Sequence, residues 1–137
     1  MGRLGLSARE ELKLVMTQAF WDSRQLPASF SQAQFDNEGF LRDLTQWSPA
    51  LADAIGLCLS LCPATGLSDE QQRIVTAARD FYQRYERMPT TRAFVKHLGL
   101  NLGETYGQSA TLMQHFPNYP MRLVALCAGL PKPPNCF

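Results

Sequence analysis

The chain has no apolar run near the roughly 20 residues that a bilayer-spanning helix needs. Its 137 residues carry a net charge of only +1. The first absence excludes an ordinary helical membrane protein. The second leaves no long-range field to gather nucleic acid or a membrane surface. Residues 1–25 lack the basic start, apolar stretch and small-residue cleavage site of a signal peptide, so a cytoplasmic location is expected. Only two histidines occur, His97 and His115, and each stands alone. Cys58 and Cys62 have no partnering cysteine or histidine pair at metal-ligand spacing, so no zinc or other metal is expected. A Ser/His/Asp set, a phosphate-binding glycine loop and a paired-carboxylate site are also missing. Asp69-Glu70 reads instead as helix N-terminal charge complementing the macrodipole.

What is present is enough for one soluble domain with a core: 45% of the residues are hydrophobic and 18% charged. Ser7-Ala8-Arg9-Glu10 fits a capping box, and Leu12, Val15, Met16, Ala19 and Phe20 follow at helical spacing. Residues 8–23 are therefore expected to be helical, ending before Pro27. Over 29–43, Phe30 and Phe35 flank polar residues, and Asp36-Asn37-Glu38-Gly39 supplies turn chemistry before Phe40-Leu41. This predicts a β-hairpin.

Helices then follow. Ser48-Pro49 is a cap with proline at the first helical position. Leu51, Ala54, Ile55, Cys58, Leu59 and Cys62 form one apolar face until Pro63. Ser68-Asp69-Glu70-Gln71 is a second capping box. It opens a long helix with Ile74, Val75, Ala78, Phe81, Tyr82 and Tyr85 inside, stopping before Pro89. Thr91 caps a short helix closed by Gly99. Another short helix covers 108–116, and Pro120 starts a last one through Leu126. The fold class is α+β, mostly α: a small N-terminal β-hairpin or meander on an array of about five helices. Its parts are a helical extension (1–28), a domain (29–128) and a flexible proline-rich C-terminal arm (129–137).

That arm, Gly129-Leu130-Pro131-Lys132-Pro133-Pro134-Asn135-Cys136-Phe137, holds the residue with the clearest chemical promise. Its prolines exclude a helix. An extended segment from Gly129 to Cys136 would reach roughly 20 Å at about 3.1 Å per residue. Cys136, one residue from the C-terminus, is badly placed for a core and well placed to enter another protein's active site. It is either a nucleophile acting as the thiolate or an exposed tail thiol with no role. The terminal carboxylate disfavours that thiolate; Lys132, or a basic residue folded against the arm, opposes this effect. Cys127 lies nine positions earlier. It is either a small buried hydrophobe or a redox partner that the arm could reach. Cys58 and Cys62, four apart, share a helix face and read as core. Arg92 and Lys96 form either a solvated basic face or an anion-stabilising patch that meets the arm. Short helices would also suit a helix-turn-helix DNA reader, which the near-neutral charge disfavours.

In order along the chain stand Asp36-Asn37-Glu38-Gly39-Phe40-Leu41, Gln46-Trp47-Ser48, Arg79-Asp80-Phe81-Tyr82, and Pro89 with Arg92 and Val95-Lys96. Gly103-Glu104 with Gly107, Phe116-Pro117, and Ala128-Gly129-Leu130-Pro131-Lys132-Pro133 with Cys136 complete the series. From about Phe35 onward the chain thereby resembles the DsrC/TusE family of sulfur-relay proteins. The resemblance implies that Cys136 carries sulfur as a persulfide, with no other cofactor. In the TusE branch the donor is an upstream relay complex (TusBCD-like) and the acceptor a tRNA 2-thiouridylase that modifies the wobble uridine. In the DsrC branch the partner is a sulfite reductase, and a second cysteine pairs with the penultimate one. Registering the tail places that second cysteine at Ala125, which favours the single-cysteine, TusE-like carrier. A DsrC-like Cys127–Cys136 disulfide is the first alternative, and a non-catalytic protein- or DNA-binding regulatory module the second. Residues 1–28 and the segment from Leu57 to Gly66, with its two cysteines, depart from the family.

Overall fold

The computed structural model describes residues 33–134; the helix expected over 8–23, the start of the expected hairpin and Cys136 lie outside them. Five α-helices and two 3-10 turns fill the described chain. They are a turn at Leu44–Gln46, α1 (Pro49–Cys58), α2 (Asp69–Tyr85), α3 (Thr91–Leu102), a turn at Glu104–Gly107, α4 (Ser109–His115) and α5 (Pro120–Ala128).

The hairpin expected over 29–43 is not seen in the described residues, where the one β feature is an isolated antiparallel bridge between Phe35 and Leu41. A strand pair needs side chains alternating between two faces. Here Phe35, Phe40 and Leu41 are all buried, so two consecutive residues point into the core. The turn between them is held by the Asp36 carboxylate, whose Oδ1 accepts from the amides of Glu38 (2.9 Å) and Phe40 (3.0 Å).

The caps are those the sequence encodes. Ser48 Oγ accepts from the Leu51 amide ahead of Pro49. Ser68 and Gln71 form a reciprocal capping box at the start of α2. Thr90, rather than Thr91, caps α3.

Two ends differ from expectation. α1 stops at Cys58 instead of running to Pro63, because Ser60 turns left-handed (φ 59°). The amides of Ser60 and Leu61 then bond back to Leu57 O and Gly56 O, a Schellman closure. Cys62 therefore lies beyond the helix, not on a face shared with Cys58. α3 runs through Gly99 to Leu102. Gly99 is there for contact: a Cβ on it would sit 2.9 Å from the Gly107 Cα, so two backbones cross where no side chain fits.

The core is centred on α5. All eight residues from Met121 to Ala128 are buried, the pattern of a helix covered on every side. It packs on α1 and α2, while α3 packs on α2, α4 and the 104–107 turn. Tyr85, expected inside α2, is instead exposed at 48%, at the last residue of the helix. The C-terminal arm thus leaves directly from the most buried helix among the described residues.

Candidate functional site: the root of the C-terminal arm

α5 ends in a Schellman motif. Gly129 is left-handed (φ 66°), its amide bonds to Leu126 O, and the Leu130 amide bonds to Ala125 O. Leu130 is then 1% exposed. The carbonyls at the end of α5 are taken by side chains from elsewhere. Trp47 Nε1 donates to Cys127 O at 2.8 Å, and Arg79 donates to Ala128 O at 2.7 Å and to Leu44 O at 3.2 Å. The Arg79 guanidinium also lies over the Trp47 ring, 4.3 Å from its centroid. A cation at a helix C-terminus complements the dipole, so Arg79 completes α5 from α2.

Beyond Leu130 the chain is still attached. Lys132 Nζ is 3.0 Å from Glu38 Oε2, and Arg122, on α5, reaches the same oxygen at 3.2 Å. Pro133 is buried. Two cations on one carboxylate hold Glu38 below its ordinary pKa, the hydrogen bond from Lys132 being the largest cause. A depressed folded pKa makes this contribution complete above the unfolded value; it is lost as pH falls through the folded one. The Glu38 side chain is 44% exposed, so solvent screening limits the effect to at most about 1 kcal/mol. Acidification below the usual carboxylate range is expected to free Lys132 while the domain stays folded. A pH titration of the Lys132 side-chain resonances checks this, and their indifference to Glu38 protonation would refute it.

The described thiols are unsuited to nucleophilic work. Cys127 is fully buried, and that burial pushes its pKa far above the usual range. Burial pushes Cys58 up to about 11. Burial and then the Asp53 carboxylate raise Cys62, whose Sγ rests 4.0 Å from Asp53 O. Among the described residues no group of histidines, cysteines and carboxylates could hold a metal ion, and no helix is long and apolar enough to cross a membrane.

The candidates from sequence are thus dispersed. Lys132 is committed to Glu38. Arg92 and Lys96 are exposed on α3, and among the described residues neither makes an ion pair. Arg92 sits in the first turn, adding its charge to the positive helix end. Cys127 points into the core. Glu38, Trp47 and Arg79, which shape the root of the arm, drew no role from sequence; their place in the family series of motifs was the available signal.

The family model described as "DsrC like protein" matches residues 28–137. The chain belongs to the DsrC family. Similar proteins include "Sulfurtransferase TusE" of Salmonella typhimurium, 39% identical over 102 residues, covering 74% of this chain and 90% of that one. "Sulfurtransferase TusE" of Escherichia coli is 34% identical over 106 residues, covering 77% and 94%. Among solved structures, the NMR structure of Allochromatium vinosum DsrC has a TM-score of 0.67 at 33% identity, covering 77% of this chain and 90% of that one. The oxidized γ-subunit of dissimilatory sulfite reductase (DsrC) from Archaeoglobus fulgidus has a TM-score of 0.60 at 30% identity, covering 77% and 92%.

Proposed function

We propose that this DsrC-family protein is a sulfurtransferase of the relay kind, carrying sulfur on Cys136. The observation that carries the reading is its identity to proteins named sulfurtransferase TusE across nine-tenths of their length. The Cys136 thiolate attacks the terminal sulfur of a donor persulfide. The donor S–S bond breaks, the donor thiolate leaves, and Cys136–S–SH forms without net oxidation. An acceptor then takes that terminal sulfur and Cys136 leaves as thiolate.

The donor is an upstream relay complex. The final destination is the 2-thio group of a tRNA wobble uridine, reached through a 2-thiouridylase. The sulfur is itself the cargo, so no cofactor is required. The exposed cations Arg92 and Lys96 are the electrostatic helpers for docking and for the thiolate. A dithiol mechanism would pair Cys136 with Cys127, and the complete burial of Cys127 weighs against it.

Peptide mass spectrometry after incubation with a cysteine desulfurase, cysteine and the upstream relay proteins tests this reading. One reducible added sulfur on the Cys136 peptide is the expected result. No added sulfur, with the same relay loading a control carrier, would overturn it. An intramolecular Cys127–Cys136 disulfide under mild oxidation would favour the dithiol alternative.

A further inference from the structure

We propose that Glu38 is a positioning residue for sulfur transfer: its ion pair with Lys132 holds the arm to the body as far as Pro133, so Cys136 is offered from a fixed point. The proposal rests on the persulfide-carrier reading of Cys136.

The sequence expectation gives the arm roughly 20 Å of reach from Gly129. The structure shortens it. Gly129 and Leu130 are locked by the Schellman bonds, Leu130 and Pro133 are buried, and between them Lys132 is 3.0 Å from Glu38. Cys136 is only the third residue beyond Pro133, and three residue steps span at most about 10 Å. A protein donor must therefore bring its persulfide close to the Glu38 turn. A held root lowers the number of arm positions that docking must select among. Glu38 is suited to this because it is itself fixed twice: Arg122 on α5 bonds its carboxylate, and the Asp36 turn bonds its amide. The contact links residues 94 apart in sequence.

This latch and a thiolate-stabilising Lys132 make opposite predictions. If Lys132 served the thiolate, removing Glu38 would release it and speed loading. If Glu38 positions the arm, Glu38→Ala and Lys132→Ala both slow loading by a protein donor, while Glu38→Ala leaves loading by a small donor unchanged. An exposed ion pair supports an effect of about two- to fivefold in kcat/KM.

The experiment measures Cys136 persulfidation in the full chain, using the upstream relay complex loaded by a cysteine desulfurase and cysteine as protein donor and glutathione persulfide as small donor. The expected result is a two- to fivefold loss with the protein donor only. The wild-type advantage should fade in about 0.5 M salt, several times physiological ionic strength, as the pair is screened. Equal loading of all variants, faster loading of Glu38→Ala, or equal losses with both donors would each overturn the proposal. Lys132→Ala keeps the Arg122–Glu38 pair and so guards against a folding artefact. If neither donor loads the wild type, it is the carrier reading that fails. The latch is then judged separately by the order parameter of the Lys132 amide: a drop in Glu38→Ala upholds it, and no change removes it.

Discussion

Replacing Cys136 by serine is expected to reduce sulfur loading to background while leaving the melting temperature unchanged. A serine hydroxyl cannot form a persulfide, so the question is whether another thiol substitutes. Against a reference thiol of pKa about 8.5, which at pH 7.5 is about 10% thiolate, a thiol at about 11 such as Cys58 is about 300-fold less ionised. Higher basicity makes each thiolate a better nucleophile, with a Brønsted slope of about 0.4–0.5. That returns about 13-fold and leaves a deficit of about 20-fold, before partial burial is counted. Cys62 is raised in the same direction. Cys127 is 0% exposed and reacts only through opening of α5. Alkylation with iodoacetamide followed by peptide mapping gives the same test without sulfur: Cys136 modified first, Cys127 modified last and only on unfolding. Loading of the Cys136→Ser protein at the wild-type rate would show that the active thiol lies elsewhere.

The local code was legible at three helix starts. Ser48-Pro49, the Ser68/Gln71 box and the Pro120 start of α5 form as the sequence implies. Where expectation and structure part, the cause is either a contact that packing makes or a backbone turn that its residue does not advertise. Gly99 reads as a helix stop, yet it is an interior contact with Gly107. Ser60 carries no left-handed signature, yet it ends α1 four residues before Cys62. Phe40 and Leu41 read as a strand start, yet both face the core and leave an isolated bridge.

The candidate site divides the same way. The position of Cys136 in a proline-rich tail is visible in one glance at the chain. How much of that tail is attached to the domain is not, because Leu130 is buried by tertiary packing and Lys132 is held by a glutamate 94 residues earlier. Lys132 was legible as a useful cation and illegible as a partner of Glu38. Arg79 and Trp47 belong to motifs of the family series, but their service to the carbonyls of α5 depends on α2 and the 44–46 turn meeting at that point.

Gly129→Ala is expected to lower stability by about 2–5 kcal/mol. A left-handed alanine costs about 1–2 kcal/mol, and Gly129 has φ 66°. Its Cβ would also lie 2.8 Å from Trp47 Cδ1 and 2.9 Å from Leu41 Cδ2. Overpacking of that kind adds about 1–3 kcal/mol. Trp47 cannot simply swing away, because its indole N–H holds Cys127 O and its ring carries the Arg79 guanidinium. For a domain of this size the cost corresponds to a fall in melting temperature of roughly 7–17 °C, measurable by calorimetry. Gly129→Asn separates the two causes, since asparagine tolerates the left-handed region but brings the same Cβ. Equal loss in both variants assigns the effect to the crowding against Trp47 and Leu41. Recovery in the asparagine variant assigns it to the backbone. A melting temperature unchanged in Gly129→Ala would mean that α5 can end without its left-handed glycine, and the anchored root of the arm would lose its main support.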